Sequence, residues 1–243
     1  MRLRLDHLII RTAEPQRTLA ELARRAGAPV LAEVEELVGG IESGSVRAGP
    51  LDLEVLKIGG IPPERPLGYG LGFVADVPLR EAVGELRALG FPVSPPAPAA
   101  AGERRWRTAQ IHGLLPNPLP VPVSTRRPGL RDRMAGAAAG TLGRIPVLAR
   151  AGTNEAGDSL VVLAEYEFDA AARRAAAGSG PAVARVELGA AGNRDAWERL
   201  PLGDEVDLTV RDDGPPGITR VLFAGARRKP FSLGAVRFEW VSG

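Results

Sequence analysis

The chain has 243 residues, enough for one large domain or two modest ones with a substantial core. Its 29 arginines and two lysines are interspersed with 29 acids for a net charge of +2, and aromatics make up only 5%, a pattern that argues against a nucleic-acid surface. The absence of cysteine excludes disulfides, thiolate metal sites and a cysteine nucleophile.

Residues 3–10 read as a buried strand. Asp6 and His7 interrupt its apolar run and Arg11 ends it, unlike a signal peptide. No apolar run in the chain approaches the roughly 20 residues needed to cross a bilayer, so the expectation is a cytoplasmic protein that engages no membrane. Pro15–Ala26 reads as a helix, with Leu19, Leu22, Ala23 and Ala26 on one face, Pro15 in its first turn and Gly27 as its stop. Val30–Val38 and Ile41–Ala48 read as strands about a Gly39-Gly40 turn, and Leu51–Ile58 as a fourth strand.

Ile61–Gly68 carries three prolines and reads as a linker. The pattern then restarts, with a strand over Leu71–Val77 and a helix over Pro78–Leu89 that Gly90 stops. Phe91–Val93 reads as a short strand and Ser94–Gly102 as a Pro/Ala loop. Trp106–Leu114 and Leu119–Thr125 complete the second unit, the latter an edge strand or irregular because Pro118, Pro120 and Pro122 break it. Met134–Leu142 reads as a short helix or a loop over a cleft. Pro146–Arg150 and Ser159–Phe168 read as a strand pair around a Thr153–Asp158 turn, followed by a helix over Phe168–Ala176 with Asp169 as its cap.

Val183–Leu188 opens a third repeat: a short helix over Asn193–Leu200, then strands over Val206–Arg211, Ile218–Ala224 and Ala235–Val241. The predicted organisation is a first module over 1–60, a degenerate second over 68–126, connecting strands and a helix over 127–180, and a partial third over 181–243. Repetition at this long period fits duplicated modules better than a solenoid.

The chain has two histidines, and one of them, His7, lies in the first strand. Glu54 lies in the last strand of the same unit, and Val236–Val241 echoes that strand with Glu239. A histidine early in one strand and a glutamate late in another, with a helix and Gly-rich strands between, resembles a module of the vicinal oxygen chelate superfamily, the glyoxalase-like proteins. The resemblance implies an α+β fold of repeated βαβββ modules whose curved mixed sheets enclose a cleft. It implies a divalent metal (zinc, nickel, manganese or iron) held by first-strand and last-strand residues of paired modules, in members that carry one. Carried over by position, His7 and Glu54 are the metal ligands, with Glu54 and Glu239 as catalytic carboxylates. The second unit departs from the pattern: Gly72 or Phe73 stands opposite His7, and Pro122 stands where the carboxylate belongs. In the third, Arg185 or a neighbour stands opposite His7.

Two functions follow from the resemblance. One is a metal-dependent isomerase, lyase or dioxygenase acting on a small oxygenated metabolite. The other is a metal-free protein that binds or sequesters a small molecule, its cleft lined by Trp106, Tyr69, Phe73 and arginines such as Arg107. A carboxylate on an inward strand face is costly unless paired, which places Glu54 and Glu239 in a cleft. The plainer alternative is a solvated face, since Asp52 and Glu54 share a side by alternation. A homodimer joined through sheet edges is a further expectation.

Overall fold

A computed structural model describes residues 1–37, 40–59, 62–116, 159–178, 180–225 and 228–241. The opening strand β1 (Leu3–Arg11) is followed by α1 (Pro15–Ala26), β2 (Val30–Leu37), β3 (Ile41–Ala48) and β4 (Leu51–Lys57). Pro15 occupies the first turn of α1, where a missing N–H costs nothing, and Gly27 ends it in the left-handed conformation, its N–H bonding Ala23 O at 2.8 Å. Leu19, Leu22 and Ala26 bury the inner face of α1 against the sheet.

The next unit repeats this plan: β5 (Leu67–Ala75), α2 (Leu79–Ala88), β6 (Ala97–Ala101), β7 (Arg104–Gln110) and β8 (Leu160–Tyr166). All eight strands form one sheet in the order β2-β3-β4-β1-β5-β8-β7-β6. β1 runs parallel to β4 and β5 parallel to β8, while β1 and β5 meet antiparallel at the centre. The two halves are therefore related by a pseudo-twofold axis through the His7–Gly72 pair. The sheet curls until β2 approaches β6, which leaves a cleft on its concave face.

After α3 (Ala170–Ala176) comes a second sheet of five strands. Its elements are β9 (Ala182–Gly189), α4 (Arg194–Glu198), β10 (Asp207–Arg211), β11 (Gly217–Ala224), β12 (Phe231–Leu233) and β13 (Val236–Val241). It repeats the central pattern in reduced form: β9 and β11 pair antiparallel, β9 runs parallel to β10, and β11 parallel to β13. Leu8, Ile10, Phe73, Val221, Phe223 and Phe238 belong to one hydrophobic cluster that joins the two sheets. A smaller cluster of Ile9, Leu56, Tyr69, Leu160 and Val162 packs elsewhere on the first sheet.

Several sequence expectations need correction. The presumed loop over Ser94–Gly102 contains strand β6, and the Pro-rich linker yields to β5 four residues before Leu71. Phe91–Val93 makes only an isolated bridge, Val93 to Ile111. The partner of β5 is β8, which lies between β5 and β7 instead of pairing with residues 146–150. The expected strands Leu119–Thr125 and Pro146–Arg150, the Met134–Leu142 segment and the Thr153–Asp158 turn lie outside the described residues.

Candidate functional site

The concave face of the first sheet holds a cleft of about 830 Å³ including its open mouth. Alternation along β1 turns His7 and Ile9 toward it and Leu8 and Ile10 toward the core. A register shift between Leu5 and His7 breaks that alternation, so Asp6 comes to the same side as its neighbour. His7 Nδ1 lies 3.0 Å from Asp6 Oδ2, and His7 Nε2 lies 3.7 Å from Glu54 Oε2. Ser43 on β3 donates to Glu54 Oε1 at 2.5 Å.

Beneath this pair is a buried ionic cluster. Arg174, from α3, donates to Asp6 Oδ1 at 2.7 Å and through Nε to Asp52 Oδ1 at 2.8 Å. Tyr166 at the end of β8 donates its hydroxyl to Asp6 Oδ2 at 2.5 Å. α3 starts at Asp169, whose carboxylate accepts from Ala172 N at 2.8 Å, and Arg47 donates to the carbonyl oxygens of Arg174 and Gly178 at its other end. Two strands and a helix from separate parts of the chain thus fix one guanidinium between two carboxylates.

Burial alone would raise the Asp6 pKa. The His7 hydrogen bond, the His7 and Arg174 charges and the Tyr166 hydroxyl reverse that and hold it well below the usual carboxylate value. Burial alone would lower His7; its bond to Asp6 and the charges of Glu54, Asp6 and Asp52 outweigh it, so the imidazolium form is favoured. Asp52 is raised by burial, with Arg174 opposing. Burial and then Asp6 push Tyr166 well above 10, so it acts as a hydroxyl donor.

The rest of the cleft is mostly apolar: Leu37, Leu56, Val162, Ala164, Trp106 and Phe168, with Arg104 paired to Glu35 at its edge. The structure brings together His7, Glu54 and Trp106 among the predicted site residues. It does not bring the others. Tyr69 is 1% exposed and packs in the smaller apolar cluster beneath Arg11, and Phe73 is 1% exposed in the main core, so neither lines the cleft. Arg107 alternates with Trp106 and lies on the other face of β7, beside Glu165 and Glu167.

Glu239 lies in the second sheet, away from the cleft, with Arg220 Nε 3.7 Å from its Oε2 and Arg237 also paired to it. Its strand pairs with β11, not β9, so the residue standing where His7 stands is Arg220 and not Arg185. An arginine there makes an ion pair in place of a histidine donor. Sequence reasoning missed Asp6, Asp52, Arg174 and Tyr166. Asp6 adjoins His7, but only the bulge turns it inward; Arg174 carries no sequence signal beyond its place on a predicted helix.

A chelate site needs donors from both halves. β8 supplies the last strand of the second half, and its register on β5, compared with that of β4 on β1, places Ala164 where Glu54 stands in the first. Gly72 stands opposite His7. A Cβ at Gly72 would lie 1.9 Å from His7 Cε1, so the imidazole lies over this glycine. Two potential donors remain, His7 Nε2 and Glu54, and no group of three or more His, Cys, Asp or Glu able to hold a metal occurs among the described residues. This donor set does not fit a resident divalent metal of the paired-module kind.

No family model and no curated protein matches the chain. Solved structures do. A hypothetical protein from Staphylococcus aureus is similar at a TM-score of 0.63 and 10% identity, over 99% of this chain and 100% of that one. The Mn(II)-bound glyoxalase from Novosphingobium aromaticivorans is similar at 0.55 and 11%, over 98% of this chain and 81% of the other. An extradiol ring-cleaving dioxygenase from B. fuscum is similar at 0.51 and 10%, over 92% of this chain and 57% of that enzyme. The fold is that of the vicinal oxygen chelate superfamily. Within that fold, the β1/β4 and β5/β8 pairs are the strands that carry the chelating positions implied by the resemblance, and this chain fills only the first pair with donors. No helix among the described residues is long and apolar enough to cross a membrane.

Proposed function

We propose that the protein binds a small oxygenated organic molecule in the cleft of its first sheet without a resident metal. The observation that carries this reading is the replacement of the second pair of donors by Gly72 and Ala164, with the His7 ring seated over Gly72. His7 and Glu54 are already engaged by Asp6 and Ser43, so their polar atoms are held in place without an ion. His7 supplies an imidazole at the cleft floor whose protonated form its neighbours favour, Glu54 an acceptor beside it, and Trp106 and Phe168 an apolar wall.

Metal analysis of the purified protein by mass spectrometry, before and after incubation with zinc, nickel, manganese and iron(II), tests the proposal. The expected result is far less than one metal per chain and no difference between wild type and His7→Ala. Near-stoichiometric metal that His7→Ala loses would overturn it and favour metal-dependent catalysis at His7 and Glu54.

A further inference from the structure

The second half of the cleft has its own polar feature. Thr108 on β7 lines the cleft, yet the residue is only 4% exposed and its Oγ1 has no hydrogen-bond partner among the described residues. Gln110, two residues on and therefore on the same face of β7, is 2% exposed, and its Nε2 is likewise without a partner among the described residues. Buried polar groups are normally satisfied, and each orphan costs stability. Two consecutive same-face orphans on one strand, one of them on the cleft wall, are the mark of a surface that waits for a ligand atom.

The pseudo-twofold relation sharpens the point. The cross-strand partner of Thr108 is Ala164, as the partner of Ser45 is Glu54, so Thr108 is the counterpart of Ser45 beside the missing carboxylate. With alanine there, no side chain among the described residues pairs with the Thr108 hydroxyl. Val162, Ala164, Trp106 and Phe168 make the wall beside it apolar, and Arg104 and Arg173 also line the cleft.

Resting on the metal-free reading of the cleft, we infer that Thr108 is a ligand-recognition residue, donating its hydroxyl to a carbonyl oxygen of a planar, largely apolar ligand stacked along Trp106. Gln110 adds a second donor behind it. The ligand class is therefore an aryl or alkyl carbonyl compound.

The test uses a matched pair of probes, acetophenone and α-methylstyrene, in which C=CH2 replaces C=O at nearly constant shape. Binding is read by protein NMR on wild type, Thr108→Val and Trp106→Ala, and thermal unfolding is measured without ligand. Wild type should bind acetophenone roughly threefold to tenfold tighter than α-methylstyrene, the worth of one neutral hydrogen bond. Thr108→Val should abolish that preference, leave α-methylstyrene binding unchanged and raise the melting temperature, because it removes an unsatisfied hydroxyl at constant volume. A lowered melting temperature, or an undiminished preference in the variant, would overturn the inference while leaving the cleft reading intact. Failure of both probes to perturb cleft resonances, or perturbation indifferent to Trp106→Ala, would overturn the cleft reading and the inference together.

Discussion

His7 owes its charge to its neighbours. Desolvation works against the imidazolium, and Asp6, Glu54 and Asp52 outweigh it. Because the folded pKa lies above the ordinary 6.5, protonated His7 stabilises the fold below about pH 6.5, and that contribution is lost as the pH rises through the raised value. Asp6 is held so low that it stays ionised throughout this window. The stability difference between wild type and His7→Gln should therefore be greatest near pH 6 and shrink toward pH 9 in thermal unfolding. A difference independent of pH would show that folding leaves the His7 pKa unshifted. At this scale the sequence exposed His7 and Glu54, because each sits in an apolar strand where its type is conspicuous. It concealed Asp6, Asp52 and Arg174, whose ion pairs join positions 122 and 168 residues apart that only folding brings together.

Among the elements, the central pair β1 and β5 sets the site. Gly72 is required there by close approach, not by backbone angle, since its absent Cβ makes room for the His7 ring. Gly72→Ala should destabilise the protein by roughly 1–3 kcal/mol, the range for overpacking, measured by denaturant midpoint. It should also displace the His7 ring from Asp6 and return its NMR-measured pKa toward the ordinary value. An unchanged midpoint and titration would show that the ring has another seat. Element types were largely legible: α1 matches its predicted bounds, and the Asp169 cap bonds Ala172 as expected. Pairing was not. β8 reads as a strand from its apolar run, but nothing local tells it to pair with β5 across more than 80 residues. β6, with sequence Ala-Pro-Ala-Ala-Ala, has little strand propensity and forms because β7 offers it a free edge.

Across the whole molecule, the two sheets dock through glycine. A Cβ at Gly68 on β5 would lie 2.3 Å from Ile218 O on β11, and one at Gly217 would lie 2.2 Å from Gly68 O. The α4 residue Trp197 seals the other side, its indole N–H donating to Leu114 O at 3.1 Å. Gly68→Ala should therefore part the sheets, lowering stability by about 2 kcal/mol or more and opening the second sheet to limited proteolysis before the first. Equal protease resistance of variant and wild type would show that the interface yields by a small slide. The second sheet retains the strand pattern of the first, with Arg220 and Glu239 as an ion pair at the positions of His7 and Glu54.

The amino-acid sequence by itself determined the mixed α+β class, most element types and the prominence of His7 and Glu54, because these rest on periodicity, punctuation by glycine and proline, and the rarity of histidine. Only the tertiary structure decided which strands pair, that a bulge turns Asp6 inward, that Arg174 bridges two carboxylates, and that the Thr108 hydroxyl has no partner among the described residues. Those are properties of register and of distances between remote segments, and a one-residue change in register moves a side chain to the opposite face.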